Sequence, residues 1–267
     1  GRKVFSMINN RRNYIQKMAI AAMMIAFSIV ITRFIPGVQL GIYRLSLGAI
    51  PIVISSLILG PIWGGIVGVA ADLIGTTLFP VGAFIIWPLL GSMLFGVLPS
   101  LVFLLLKKVR GHIKNRYILW GIMALIVIFI SVVVIVRDSL TYRATYETTA
   151  TIVFNIWWKI FTPIILIIVA VIIAIGVHFM EVRAQKTPNK QPLCPTPYEV
   201  AIIIFLTDLT IDVLYGPIWK MIVFSSNLLV NLFVQSLLFV VAVIVKTFIV
   251  YYLINIYYRV IYIENTK

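Results

Sequence analysis

Residues 43–75 read YRLSLGAIPIVISSLILGPIWGGIVGVAADLIG, and within that stretch only Arg44 and Asp72 carry a formal charge. Proline and glycine are the punctuation: Pro51 near one end and the Gly60-Pro61 pair in the middle interrupt an otherwise apolar run. The stretch therefore predicts a short apolar helix over 47–59, a tight turn, and a second apolar helix over 61–79. On either side, further apolar runs occupy about 17–35, 83–106, 117–136, 152–180, 199–216 and 235–258. Most approach the ~20 residues a helix needs to cross a bilayer. The 267-residue chain is 62% hydrophobic and 11% charged, against roughly 25% charged in an ordinary soluble domain. A water-soluble enzyme is excluded. The expected fold class is all-α, a polytopic transmembrane bundle of about eight spans in a single membrane domain.

The net charge of +14 invites a nucleic-acid reading, but its distribution is that of the positive-inside rule. Arg2, Lys3, Arg11, Arg12 and Lys17 precede the first apolar run, and Lys107, Lys108, Arg110, Lys114 and Arg116 follow the fourth. An even number of crossings separates the clusters, so both fall on the cytoplasmic side. The segment 137–151 then lies outside, the Pro-rich 181–198 inside, and both termini are expected to be cytoplasmic in the cell membrane. No nucleic-acid partner is expected. No signal-peptide cleavage pattern is present, so no removed presequence is read there. The single Cys194 excludes an internal disulfide and a Cys-rich metal site.

Two places resist simple counting. The apolar run from about 221 to 258 exceeds one span at 1.5 Å per residue, so its first part is expected to be an outer loop or a short lying helix. GPIW occurs at 60–63 and again at 216–219, without matching flanks, and is read as coincidence.

Searches for chemistry are mostly negative. No GxxxxGK[ST] phosphate loop, HExxH helix or GxSxG elbow occurs, so no ATPase motif, metal centre, cofactor or catalytic residue is expected. What remains are ionisable groups at membrane depth, each costing about 2.5–3.5 kcal/mol at a helix centre. They are Asp72, Asp208, Asp212, Lys159 and Lys246. Asp208 and Asp212, four residues apart, share a helix face. They either line a path or pair internally, Asp208 with Lys246 for example, and the sequence leaves both readings open. Gly64, Gly68 and Gly75 form a small-residue face suited to close packing within the chain, and Ala22 and Ala26 form another. Asn227, Asn231 and Gln235 recur at intervals of four just before the last span, as a ligand-binding stripe or a loop cap. The outer loop 34–51 carries Arg44 and Ser46. A guanidinium there suits bidentate capture of a carboxylate, or else sits solvated at the interface.

In these residues the chain resembles the S components of energy-coupling factor transporters, most closely the folate-specific group. YRLSLGAIP, GPIWGG and AADLIG occur in the order and on the sides that the group's pattern requires, and Ala22-x-x-x-Ala26 is similar to its docking motif. The resemblance is strong over 17–106 and weaker over 199–258. It implies a six-helix core, helices 1–4 in 17–106 and helices 5–6 in 199–258, that binds a vitamin, folate or a related pterin, from outside. It further implies a complex with one transmembrane coupling subunit and two cytoplasmic ATPases, with transport by reorientation of the S component. Arg44, Ser46, Asn227 and Asn231 would then contact substrate, and Ala22 and Ala26 would dock the coupling subunit. Trp63, Asp72, Asp208, Asp212 and Lys246 would be structural or ion-paired. Two departures stand out: the inserted helical pair within 107–198, and Asn227 and Val230 where the folate group places basic residues. They leave room for another vitamin or micronutrient. A self-sufficient ion-coupled transporter and a ligand-free structural subunit are the alternatives from other classes.

Overall fold

Backbone groups inside a bilayer must satisfy each other, which leaves helices as the spanning elements of a chain with this composition. The computed structural model describes residues 2–34, 39–40, 43–44, 47–80, 85–109, 121, 171, 174–183, 195–225 and 228–266. They divide into two compact units, Gly1–Lys108 with Ile203–Lys267, and Val109–Ile202.

In the first unit, α1 (Arg2–Phe34) is followed by a two-stranded ladder, β1 (Gln39–Leu40) with β2 (Tyr43–Arg44). The strands are antiparallel, with Gln39 opposite Arg44. Then come α2 (Ala49–Leu59), α3 (Pro61–Leu78) and α4 (Ile86–Val109). The chain re-enters the unit along α5 (Pro197–Asp208), which runs into a π-helical segment, Leu209–Tyr215, and on into α6 (Gly216–Phe224). The last helix, α7, is Leu228–Thr266. Among the described residues, five stretches are long and apolar enough to cross a membrane: Tyr14–Phe34, Pro61–Leu78, Ile86–Lys108, Pro197–Phe224 and Val241–Tyr258. The protein is thus a helical membrane bundle. The expected spans over 117–136 and most of 152–180 lie outside the described residues. Within the second unit, residues 174–183 are helical, and Thr196 and Glu199 cap the start of α5 reciprocally, each backbone N–H donating to the other side chain.

Three expectations are corrected. The segment 47–59 is not a span: α2 has 11 residues, about 17 Å at helical rise, half the ~30 Å hydrocarbon thickness. Every residue from Ala49 to Leu57 is buried, so protein rather than lipid surrounds it. Among the described residues the run after 221 shows no outer loop or separate lying helix. Instead α6 prolongs the preceding rod to Phe224, Ser225 turns in the left-handed region (φ 50°), and α7 begins at Leu228. A helix 39 residues long reaches about 58 Å, so it accommodates the long apolar run simply by extending beyond the bilayer. Consequently Asn231 and Gln235 lie inside α7 rather than before it. The two GPIW copies also differ. Gly60, at φ 97°, breaks the chain between α2 and α3, whereas Gly216 has helical dihedrals (φ −57°, ψ −50°) and continues its rod.

Small residues set the packing. A Cβ on Gly64 would stand 2.7 Å from Ser56 Cα, one on Gly68 2.8 Å from the Ser92 carbonyl carbon, and one on Gly96 2.7 Å from Gly65 N. Gly64 thus packs α3 against the α2 backbone, and at Gly68 and Gly96 the α3–α4 crossing is backbone on backbone. This is the intrachain use expected for Gly64 and Gly68, whereas a Cβ on Gly75 would meet the Arg33 side chain at 3.5 Å. Ser56 and Ser100 clip α2 to α4, Oγ to Oγ at 2.8 Å, and Ser100 N donates to Ser56 Oγ at 3.2 Å. Ala21, Ile52, Val67 and Ala71 form a buried cluster joined by Trp63 and Phe95.

Candidate functional site

One cavity of about 420 Å³ opens within the first unit, inside the usual ~300–1,000 Å³ range of small-molecule sites. Its wall is built from parts of several helices. The last turn of α1 supplies Thr32 and Arg33, and the C-terminal half of α3 supplies Asp72 and Gly75; Gly48 immediately precedes α2, and the N-terminal half of α4 supplies Gly91, Ser92 and Phe95. The π-helical segment adds Asp212 and Tyr215, α6 adds Trp219 and Lys220, and α7 adds Gln235 and Lys246. The π segment recurs at functional sites because it offsets side chains from the regular helical register. Here Tyr215 anchors it: the hydroxyl donates to Trp87 O at 2.7 Å, and the rings lie 6.4 Å apart.

Charge is concentrated in two places. Lys246 Nζ lies 3.0 Å from both Asp208 oxygens and 3.6 Å from Asp212 Oδ2. Lys246 is 3% exposed and Asp208 0%, whereas Asp212 retains 32%. The ammonium also sits 4.8 Å from the Phe95 ring centre, a cation–π distance. Also on the wall, Arg33 lies near the half-buried Asp72, whose carboxylate feels the guanidinium. Arg33 Nε is buried with no hydrogen-bond partner among the described residues. The buried Lys220 ammonium lies 5.6 Å from the Trp219 ring centre. The cavity thus combines aromatic faces, carboxylates, an amide and three cations, a chemistry suited to a flat polar ring bearing an acidic group. Among the described residues no group of three metal-ligating side chains converges.

A family model described as "ECF-type riboflavin transporter, S component" matches residues 12–178, more than half of the chain. The chain belongs to this S-component family. The folate transporter FolT of Clostridium novyi (strain NT) is 39% identical to it over 80 residues, 28% of this chain and 46% of that protein. The chain therefore spans about half the length of the curated relative that it matches.

The S component's expected site residues separate in the structure. Arg44 falls in β2, opposite Gln39, and its side chain lies outside the described residues, as do Ser46 and Asn227. Asn231 is fully buried and donates from Nδ2 to Pro217 O at 3.3 Å; its neighbour in the stripe, Gln235, reaches the cavity wall instead. Trp63 packs against the α1–α3 core, 5.4 Å edge-to-face from Tyr14. Ala22 and Ala26 both lie on the exposed side of α1. Of the membrane acids, Asp208 pairs internally with Lys246, and Asp72, Asp212 and Lys246 are on the cavity wall.

Sequence reasoning missed Arg33, Lys220, Tyr215 and Trp219. A signal existed for the two cations. Both stand among apolar residues at span ends away from the basic clusters at 2–17 and 107–116, where the positive-inside rule gives no reason for a positive charge.

Proposed function

We propose that this S component binds folate or a related pterin from the outer face of the cell membrane, with both termini cytoplasmic. Energy would come from a transmembrane coupling subunit and two cytoplasmic ATPases, with Ala22 and Ala26 on the docking face. The observation that carries the substrate is the cavity's polarity. Aromatic Tyr215, Trp219 and Phe95 suit a flat ring, and Arg33, with its unused buried Nε, suits a carboxylate. Arg33 and Lys220 also supply the basic groups that the folate group places before its last helix and that Asn227 and Val230 do not. Arg44, in the ladder that follows α1, would be a further substrate contact, as the family resemblance implies. The relationship to a folate transporter supports this reading.

Riboflavin is the second reading, favoured by the description of the matching family model. Small-molecule mass spectrometry of the detergent-purified chain decides between them. The expected result is a co-purifying folate; a flavin, or no vitamin at all, counts against the proposal.

A further inference from the structure

We infer that Asp212 reads the ring edge of the ligand and selects a heteroaromatic presenting two adjacent N–H donors, such as a 2-amino-4-oxopteridine. The inference rests on the reading of the cavity as a vitamin site and adds the group that distinguishes one ring from another.

The π-helical segment brings Asp212 to the cavity wall, where its side chain keeps 32% exposure. An ionised carboxylate only accepts hydrogen bonds. Charge compensation is already in place, because Lys246 lies beneath it, but that compensation does not use up its acceptors. Lys246 spends its short contacts on Asp208, at 3.0 Å to each oxygen, and reaches only Oδ2 of Asp212, at 3.6 Å. That distance is beyond normal hydrogen-bond length. Asp208 is the structural member of the trio, with 0% exposure; Asp212 is the member presented to a ligand.

Ring placement follows from the neighbours. Phe95 lies 4.8 Å from the same Lys246 ammonium, and Tyr215 follows Asp212 by three residues along the π segment. A flat ring stacked among these side chains has its edge at the Asp212 carboxylate. A 2-amino-4-oxopteridine offers N3–H and the 2-amino group side by side, matching the two carboxylate oxygens. A 2,4-dioxo ring, the type found in flavins, has carbonyl oxygens flanking its one N–H, and these would meet the carboxylate with like polarity. Charge-assisted hydrogen bonds and the penalty for leaving them unmade set a discrimination of about 10- to 100-fold.

The test uses the full chain in detergent micelles, titrated calorimetrically with folic acid and with its 2-deamino-2-oxo counterpart. The two ligands share the same acidic tail, so contacts to Arg33 and the other cations cancel in the ratio. Wild type should prefer folic acid by about 10- to 100-fold. Asp212→Asn should reduce that ratio to about 3-fold or less, and Asp212→Glu should preserve the preference. Equal binding of the two rings by wild type, or an unchanged ratio in Asp212→Asn, overturns the inference while leaving folate as substrate. Wild type that binds riboflavin or nothing overturns the proposed substrate itself. Both variants keep the Asp208–Lys246 pair, and their melting curves report folding. If Asp212→Asn does not fold, the wild-type ratio and Asp212→Glu decide the matter.

Discussion

Replacing Lys246 by methionine tests the electrostatic frame on which the cavity floor is built. The ammonium is 3% exposed and neutralises an Asp208 carboxylate that is 0% exposed, at 3.0 Å from both of its oxygens. Removing one partner of a buried pair strands the other charge, at a cost of about 3–5 kcal/mol. Lys246→Met strands Asp208 and also deprives Asp212 of its neighbour at 3.6 Å, so the upper part of that range applies. Asp208→Leu should cost less, about 2–3 kcal/mol, because Lys246 keeps Asp212. The double variant Asp208→Leu/Lys246→Met removes the buried stranded charge and leaves only the 32% exposed Asp212 without this cation, so it should return to within about 2 kcal/mol of wild type. The assay is thermal unfolding of the purified protein in detergent, followed by tryptophan fluorescence. At about 2–4 °C per kcal/mol, Lys246→Met should lower the midpoint by roughly 8–20 °C, and the second substitution should recover most of it. Single variants that each melt within a degree or two of wild type, or a double variant whose loss is the sum of the singles, would refute the pairing.

Other substitutions probe the remaining parts. Arg33→Ala should weaken folate binding about 10- to 100-fold while leaving binding of a pterin without carboxylates unchanged, a difference that titration reads directly. Gly96→Val places side-chain atoms where a Cβ already stands 2.7 Å from Gly65 N. It should destabilise the α3–α4 crossing by about 3 kcal/mol or more, visible as a lower melting midpoint or loss of the monodisperse peak. Gly60→Ala meets nothing within 4 Å but must hold φ 97°, so it should cost only about 1–2 kcal/mol of backbone strain and leave ligand affinity intact.

The helical class was legible because lipid imposes composition: runs of apolar residues cannot be hidden in a chain that must satisfy its backbone internally. The α2–α3 break was equally legible, since Gly60-Pro61 has few other uses. Span counting failed at α2 because hydropathy does not distinguish a helix buried in protein from one bathed in lipid. It failed again after 221, where the exit of α7 beyond the bilayer depends on tertiary support. The acids at membrane depth were found by their cost, but their partition was not. Only the fold brings Lys246 to Asp208 across 38 positions of sequence. Arg33 and Lys220 were passed over because isolated cations at span ends look topogenic until they are seen to lie away from the basic clusters. Nothing in the local sequence announced the π segment that brings Asp212 and Tyr215 to the cavity.

Vesicles containing only this chain, exposed to radiolabelled folate, supply the decisive measurement. Retained label should saturate at about one folate per chain, as expected for one ligand in the cavity described, with none accumulating in the lumen until the coupling subunit, the ATPases and ATP are present. Absence of saturable binding, or uphill accumulation by the chain alone, would contradict the account.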